Sequence, residues 1–210
     1  MEEAKEKSIS NVELWTSLKR DVDFTTGNYA HMHTRLRNND VASRFFVIYY
    51  SVVSIFYGLI PLFFKEKLAS EALLNFLALS SSIVVLIASL TISLAKYSER
   101  SNQVMQGLDQ MKRFKKELSL YKETGLTSNE YLASIIKYHQ IVDHVELRTD
   151  LDYYLTCRDM HKGEKYAESW KNLSWFQKIE ACCFPAAKYL FYFVLIILPL
   201  CIFPLKIVFL

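Results

Sequence analysis

Three long blocks of apolar residues constrain the fold of this chain more than any other feature. The first two cover residues 45–64 and 73–95 and contain no charged side chain. The third covers residues 188–210, and its only charges are Lys188 and Lys206. Each block has about the 20 residues that a helix needs to cross the hydrocarbon core of a bilayer. We therefore predict an all-α membrane protein, even though 22% of its residues are charged.

The order of the blocks predicts four segments. Because the link between the first two blocks is short, they are expected to form an N-terminal transmembrane helical hairpin. The segments are an N-terminal helical segment (1–44), the hairpin (45–95), a domain of antiparallel long helices (96–180) and a C-terminal hydrophobic helix (181–210). The last is expected to be a third span, kinked at Pro199 and Pro204, with Lys206 reaching the far headgroups. A broken, partly re-entrant segment is the alternative.

Basic residues are concentrated on one side of the predicted spans. Lysines and arginines precede the first block and follow the second, whereas the hairpin link has two lysines beside two glutamates. Cytoplasmic loops of membrane proteins are enriched in Lys and Arg. The pattern predicts that residues 1–44 and 96–180 lie in the cytoplasm, and that the protein is a multi-pass protein of the cell membrane.

An apolar stripe runs along the segment that follows the hairpin. Its members step by four and three residues, as coiled-coil positions do, and they include Val104, Leu108, Met111 and Leu118. We predict a long helix here, with the stripe as a candidate contact in a homo-oligomer. Gly125 is predicted to end this helix. Thr127 or Ser128, with Glu130, is predicted to begin the next, which continues through Tyr154 and folds back on the first.

The residues before the first block also have a helical pattern. Their predicted buried positions are Leu14, Leu18, Tyr29, Met32 and Leu36. Glycine and threonine are weak helix formers, so residues 25–27 (Thr-Thr-Gly) predict a break in this helix. The three predicted polar helices would then form a small bundle below the membrane.

Small and hydroxyl residues recur in the second apolar block. They are Asn75, Ser80, Ser81, Ser82, Ser89 and Ser93. Such residues let membrane helices approach closely and form hydrogen bonds between helices. They would also suit the wall of a water-filled pore. Helix packing is the better interpretation of any single serine, and Asn75 together with residues 80–82 favours a polar seam.

The densest polar cluster is YHQIVDHVELRTDLDYY, residues 138–154. On one continuous helix His139, Asp143, Glu146 and Asp150 would share a face. His139 and His144 are five residues apart and diverge by more than a right angle, so they do not converge easily on one metal ion. We interpret the stretch as a polar packing face. The basic residues predicted to pair with it are Arg35, Arg37, Lys112 and Lys115.

Missing motifs exclude several functional classes. The four cysteines form no CxxC pair, and the chain has no Gly-rich phosphate loop, no nucleophile elbow and no zinc-deaminase signature. Cys182 and Cys183 are expected to be small residues at a membrane entry, with acylation as the alternative. A formal charge of +3 is too small to indicate direct nucleic-acid binding. We predict no catalytic residue, no metal and no cofactor.

The features together resemble a known family. A basic stretch (TRLRNN, residues 34–39) leads into the hairpin, a long helix follows, and a later helix has the pattern Tyr138-x5-His144-x5-Asp150. This layout is similar to that of the SLATT domains, two-transmembrane effectors associated with SMODS nucleotidyltransferases and SLOG sensors. The nearest subgroup is the one linked to reverse transcriptases and retrons. The resemblance covers residues 14–154, and the C-terminal block departs from the two-span pattern.

The resemblance implies a bacterial antiphage effector. Such effectors are expected to oligomerise in the inner membrane, to be held silent by a sensor, and to permeabilise or depolarise the membrane on infection. The cell then dies or stops growing, which is abortive infection. The sensor would be a reverse transcriptase with its retron RNA–DNA, a nucleotidyltransferase or a SLOG protein encoded nearby. Tyr138, His144 and Asp150 would have a structural role in the helical domain or its oligomer.

Three other functions stay open at this point. A ligand-gated or transport channel is one, although the predicted spans contain almost no charge to select ions. A membrane-anchored scaffold would use the helical domain to recruit cytoplasmic partners without harming the cell. A membrane enzyme would need the acidic and histidine-rich stretch, above all His139, His144 and Asp150, to be catalytic.

Overall fold

The computed structural model describes residues 11–63, 71–146, 148–163 and 166–202, and every regular element within these ranges is a helix. The helices are α1 (Asn11–Phe63), α2 (Glu71–Ala95), α3 (Tyr97–Ser119), α4 (Ser128–Val142), α5 (Asp150–Lys162), α6 (Ala167–Lys171) and α7 (Trp175–Ile202). Stretches within Asn11–Leu59, Asn75–Ser119 and Trp175–Ile197 are long and apolar enough to cross a membrane. The predicted all-α membrane fold, with an N-terminal, a middle and a C-terminal apolar helix, is therefore confirmed.

The chain divides into two compact units. The helical unit comprises Met1–Arg35 and Glu99–Gln177, and the membrane unit comprises Leu36–Ser98 and Lys178–Leu210. Each unit is therefore built from pieces that are far apart in sequence. The four predicted segments follow the order of the chain, and their boundaries stay a prediction.

The predicted break at residues 25–27 is wrong, because α1 continues unbroken through them. Three contacts explain why. Thr26 donates its hydroxyl to the backbone carbonyl of Val22 at 2.7 Å, and the Thr25 hydroxyl lies 2.8 Å from that of Tyr138. A Cβ at Gly27 would lie 2.6 Å from the Thr156 methyl group, so this glycine allows α5 to approach α1 closely.

Contacts inside the helical unit set the direction of its helices. Trp15 donates its indole N–H to the carbonyl of Leu118, and His33 contacts Ser101, so α1 and α3 are antiparallel. Arg100 pairs with Glu146. Lys137 of α4 pairs with Glu117, near the end of α3. The two pairs together make α3 and α4 antiparallel, as predicted.

The predicted apolar stripe of α3 lies in the core of the helical unit. Val104 and Met111 are fully buried, and Leu108 and Leu118 are almost so. On α1 four of the five predicted positions are buried too, namely Leu18, Tyr29, Met32 and Leu36, whereas Leu14 near the start of the helix is half-buried. Packing within one chain therefore accounts for the stripe. In this conformation its side chains have no exposed surface to offer a second copy.

The predicted single helix over the polar cluster is wrong. Helix α4 ends at Val142, and α5 begins at Asp150. The reason is a capping box, in which the Thr149 hydroxyl accepts from the N–H of Asp152 while the Asp152 carboxylate accepts from the N–H of Thr149. The start signal predicted for α4 is confirmed, since Thr127 forms the same kind of box with Glu130. The predicted end of the preceding helix at Gly125 is wrong. Helix α3 ends at Ser119, where the backbone bonds tighten to a span of three residues, and Gly125, with a φ of +72°, ends the turns that follow.

The membrane unit contains the apolar parts of α1, α2 and α7. Ser54 of α1 donates to the carbonyl of Ala78 at 3.1 Å, and its oxygen lies 2.8 Å from the Ser82 hydroxyl on α2. Two hydroxyl-to-carbonyl bonds join α1 to α7: Tyr49 donates to Ile196 at 2.6 Å, and Tyr50 donates to Leu195 at 3.0 Å. The backbone of α7 stays helical through Pro199. Pro204 and Lys206 lie outside the described residues.

Candidate functional site

A line of polar side chains on α1 forms the most elaborate polar arrangement of the helical unit. At its centre Arg35 and Asp152 pair through two parallel bonds. The Arg35 Nε lies 3.1 Å from Asp152 Oδ1, and its Nη2 lies 3.0 Å from Oδ2. The carboxylate is fully buried, while 24% of the arginine side chain is exposed. Such two-point geometry is the strong form of an ion pair, and it fixes α5 against α1.

The same carboxylate also begins α5. Asp152 Oδ2 accepts from the Thr149 N–H at 3.1 Å and from the Thr149 hydroxyl at 2.8 Å. Thr156, one turn further along, is buried beside Gly27 of α1 and donates its hydroxyl to the Asp152 carbonyl. The buried Asp152 carboxylate therefore accepts hydrogen bonds from the start of α5 and from the Arg35 guanidinium of α1 at the same time.

Two histidines extend this arrangement along α1. His33 Nδ1 lies 3.1 Å from the hydroxyl of Ser101, which is buried in α3. His31 Nε2 lies 3.1 Å from Asp159 Oδ2, on α5. Burial lowers the pKa of His31 below its ordinary value, and the nearby Asp159 carboxylate offsets this only in part. His31 is therefore held as a neutral hydrogen-bonding group near neutral pH.

The lowered pKa of His31 predicts a pH dependence of stability. Because the unfolded histidine, with a pKa near 6.5, binds protons more readily than the folded one, stability should fall as the pH drops through that value. The His31→Gln variant should show a smaller loss of stability between pH 7.5 and 5.5, measured by denaturant unfolding in detergent. His144→Gln serves as the control, since His144 is exposed. Equal slopes for the wild type and His31→Gln would contradict the assignment.

A second buried carboxylate lies nearer the start of α1. Asp23 is 2% exposed, and its Oδ1 lies 2.5 Å from Lys115 Nζ of α3. Its Oδ2 accepts from the Tyr166 hydroxyl at 3.4 Å and lies 3.9 Å from Lys19 Nζ. Tyr166 has a left-handed backbone (φ 49°) just before α6. The network of Asp23, His31, Arg35 and their partners thus joins α1 to α3, α5 and the start of α6.

The family-pattern residues do not come together. Tyr138 contacts Thr25 of α1, whereas His144 is exposed in the turn after α4 and Asp150 is exposed in the first turn of α5. No hydrogen bond or ion pair joins these three within the part of the chain that the structure describes. Burial, with smaller contributions from Tyr138 and Asp143, raises the pKa of Tyr29 to about 12. The Tyr138 end of the pattern therefore lies against α1, apart from the other two residues.

Sequence reasoning named one basic partner of the polar cluster correctly, Arg35, and missed another, Arg100. Within the cluster, Asp152 pairs with Arg35, and Glu146 pairs with Arg100. Of the predicted basic residues, Arg35 pairs with the cluster as expected, whereas Lys115 pairs with Asp23 of α1. The spacing Thr149-x-x-Asp152 matches a capping box, which marks the start of a new helix. That signal could have shown that the cluster is divided between two helices.

The hydroxyl residues of α2 lie partly inside and partly outside the membrane unit. Ser81 is buried, and Ser82 bonds to Ser54 and to the carbonyl of Ala78 while it stays exposed. The other predicted seam residues have different surroundings: Ser80 is half-buried, and Asn75, Ser89 and Ser93 are exposed. The seam therefore includes a contact between Ser82 and Ser54 of α1, and an outer row that is exposed among the described residues.

The chemistry that these groups could perform is limited. Among the described residues, no three of His, Cys, Asp or Glu come together as metal ligands. Cys157 is buried, and Cys182 and Cys183 are exposed free thiols. The two buried carboxylates of the network, Asp23 and Asp152, each pair with a basic side chain, and Asp152 also caps α5. The network is suited to holding helices together rather than to acid–base chemistry.

The fold and the network define a class of protein: an α-helical membrane protein whose polar helices are tied together by buried ion pairs. The chain belongs to the SMODS and SLOG-associating 2TM effector domain family 5, whose model matches residues 12–210. This confirms the predicted SLATT membership, while the link to retrons stays a prediction. No curated protein and no solved structure gives a significant match.

Membership gives the function at a coarse level. The family is one of two-transmembrane effectors found in antiphage defence contexts, and it is not a known enzyme family. Its description names association with SMODS and SLOG proteins. The match extends over α7, which adds a third apolar helix to the two that the family description counts.

Proposed function

We propose that this protein is an antiphage effector that assembles into oligomers in the bacterial inner membrane and permeabilises or depolarises it when a sensor partner signals infection. The N-terminus and the helical unit would lie in the cytoplasm, where a sensor can reach them. A reverse transcriptase with its retron RNA–DNA, a nucleotidyltransferase or a SLOG protein would be that sensor. The effector itself would need no cofactor.

One observation carries the proposal: an exposed polar row on an otherwise apolar helix. Asn75, Ser82 and Ser89 are seven residues apart, so they lie on one face of α2, and Ser93 continues the row one turn later. All four are exposed in the single chain. In hydrocarbon an uncovered polar side chain is costly, whereas a second copy or water would satisfy it.

The proposal requires several copies, because one helical hairpin encloses no lumen. In the silent state, neighbouring α2 helices that meet along this row would share hydrogen bonds. In the active state, the same side chains would line a water-filled pore. The charge-free wall would discriminate weakly between ions. Loss of membrane potential, rather than transport of one solute, is therefore the expected output.

The helical unit would hold the effector silent. The ion pairs of Arg35 with Asp152 and of Lys115 with Asp23 keep α1 against α3 and α5. Helix α1 continues without a break from these ion pairs into its apolar half. A sensor partner would therefore act by loosening the packing of α1 against α3 and α5. A partner that bound the opened form more tightly would shift the population toward it.

The proposal predicts that the polar row is needed for toxicity. The triple variant Asn75→Leu, Ser82→Ala, Ser89→Ala should reduce depolarisation by about tenfold, because an apolar constriction expels water. The assay is induced expression in a bacterium loaded with a potential-sensitive dye. Thr91→Val is the matched control, since Thr91 is exposed and, nine positions after Ser82, lies on the opposite face of α2.

Three outcomes of this experiment have distinct meanings. Full toxicity of the triple variant would exclude the row as the functional surface. Intact potential and normal growth with the wild type under every trigger would overturn the proposed function. A stable complex with cytoplasmic partners and no toxicity would instead support the membrane-anchored scaffold.

A further inference from the structure

The contact of α7 with α1 has a chemical cause in the sequence. In an α-helix the carbonyl of each residue accepts from the N–H four residues later. Four residues after Leu195 comes Pro199, which has no N–H to donate. The Leu195 carbonyl therefore loses its ordinary partner, and the Tyr50 hydroxyl of α1 replaces it at 3.0 Å.

A second bond stands beside the first. Tyr49 donates to the next carbonyl, that of Ile196, at 2.6 Å. The two tyrosine rings meet edge to face with their centroids 5.5 Å apart, and the Tyr50 ring packs on Phe46 at 4.4 Å. Aromatic packing thus fixes the rings that aim both hydroxyls. We call Tyr49, Tyr50 and the carbonyls of Leu195 and Ile196 the tyrosine clamp.

The clamp has a special value in a bilayer. Hydrocarbon offers no water to a released hydroxyl or carbonyl, so separation of α7 from α1 would leave two donors and two carbonyls without these partners. A sliding or rotated α7 would break the same bonds. The clamp therefore selects one register of α7 on α1, where apolar packing alone would tolerate several.

We propose that α7 is a resident third membrane helix and that the tyrosine clamp is an autoinhibitory contact, which covers the Tyr49–Tyr50 face of α1 until activation. The inference rests on the proposed membrane-permeabilising function. When α7 leaves, this face of α1, with its two freed hydroxyls, becomes available to another copy. A further hydrogen bond joins the two helices away from the clamp, since Lys188 of α7 donates to the amide oxygen of Asn39 on α1.

The first experiment tests the clamp without any membrane leakage. The Tyr50→Phe variant should raise the unfolding equilibrium constant in mixed micelles about threefold, the typical value of one hydrogen bond between membrane helices. In a Pro199→Ala background, residue 199 can also donate to the Leu195 carbonyl, so Tyr50→Phe should then have a smaller effect. Tyr189→Phe is the control, because Tyr189 is exposed on α7. No effect of Tyr50→Phe in either background would overturn the clamp, and an equal effect in both would overturn Pro199 as the cause of the Tyr50 bond.

The second experiment tests autoinhibition. The Tyr49→Cys/Ile196→Cys variant, in a chain with its native cysteines replaced by serine, is cross-linked by a bismaleimide with a disulfide in its spacer. The protein is then reconstituted in dye-loaded phosphatidylethanolamine–phosphatidylglycerol vesicles. The cross-linked protein should keep the vesicles sealed, and reductive cleavage should raise the leak rate at least about tenfold, the change that corresponds to 1.4 kcal/mol. The wild-type and Tyr49→Phe/Tyr50→Phe proteins are run beside it, and the double variant should leak faster than the wild type.

The outcomes separate the two proposals. Equal leakage before and after cleavage, with a leaking double variant, would overturn autoinhibition and leave the permeabilising function in place. Vesicles that stay sealed with every variant would overturn the permeabilising function and the autoinhibitory role together. The unfolding measurements in micelles would still test whether the tyrosine clamp stabilises the protein.

Discussion

Replacing Arg35 with alanine is expected to lower the free energy of unfolding of the helical unit by about 3 kcal/mol. The change leaves the carboxylate of Asp152 fully buried without its cationic partner, and breaking a buried ion pair typically costs about 3–5 kcal/mol. We take the lower end because 24% of the Arg35 side chain is exposed. Guanidinium unfolding in detergent, followed by tryptophan fluorescence, measures the loss, since Trp15 and Trp170 both lie in this unit.

Two further variants separate the ion pair from general damage to α1. Arg37→Ala removes an exposed arginine two residues away and should change stability little. Arg35→Lys keeps the charge and loses the two-point geometry, so it should fall between wild type and alanine. An alanine variant as stable as wild type would show that the pair contributes nothing to the helical unit.

Replacing Gly125 with alanine is expected to cost about 2–3 kcal/mol, for two additive reasons. The residue has a φ of +72°, which a side chain disfavours. Its Cβ would also lie 2.5 Å from the carbonyl carbon of Asn11 and 2.7 Å from its oxygen, both backbone atoms that cannot rotate away. That oxygen accepts the N–H of Leu126, so the clash would disturb the anchor of the α1 start.

Matched glycine variants test this explanation by the same unfolding measurement. Gly163→Ala should be nearly neutral, because the nearest atoms to its added Cβ are at 3.6 and 3.7 Å. Gly125→Asn should recover the conformational part of the loss, since asparagine tolerates positive φ, and should keep the steric part. Equal losses at Gly125 and Gly163 would refute the close approach to Asn11.

Hydropathy and capping rules predicted the parts of this fold that depend on neighbouring residues. Three apolar blocks and the start of α4 at Thr127 could be inferred from short stretches of sequence. The break expected at Gly27 failed because a tertiary contact decided it. Thr156 lies 129 positions later in the chain, and no local rule reveals that it needs a glycine opposite it.

The site was harder to predict for the same reason. Nothing in the run of residues 138–154 indicates which carboxylate will be buried against Arg35, and the assumption of one helix directed attention to Asp150 rather than Asp152. The α3 stripe shows a related limit. Its spacing predicts burial correctly, but spacing alone does not say whether the covering surface comes from the same chain or from another copy.

The two capping boxes differ in what they need in order to form. Thr127 and Glu130 complete theirs alone, and the bonds from Thr127 lower the pKa of Glu130. The box of Thr149 and Asp152 shares its carboxylate with an arginine 117 positions away in sequence. We therefore expect α4 to gain structure early in folding. Helix α5 should become persistent only after the long loop back to α1 has closed, which places its first turn among the last parts of the helical unit to gain protection from hydrogen exchange.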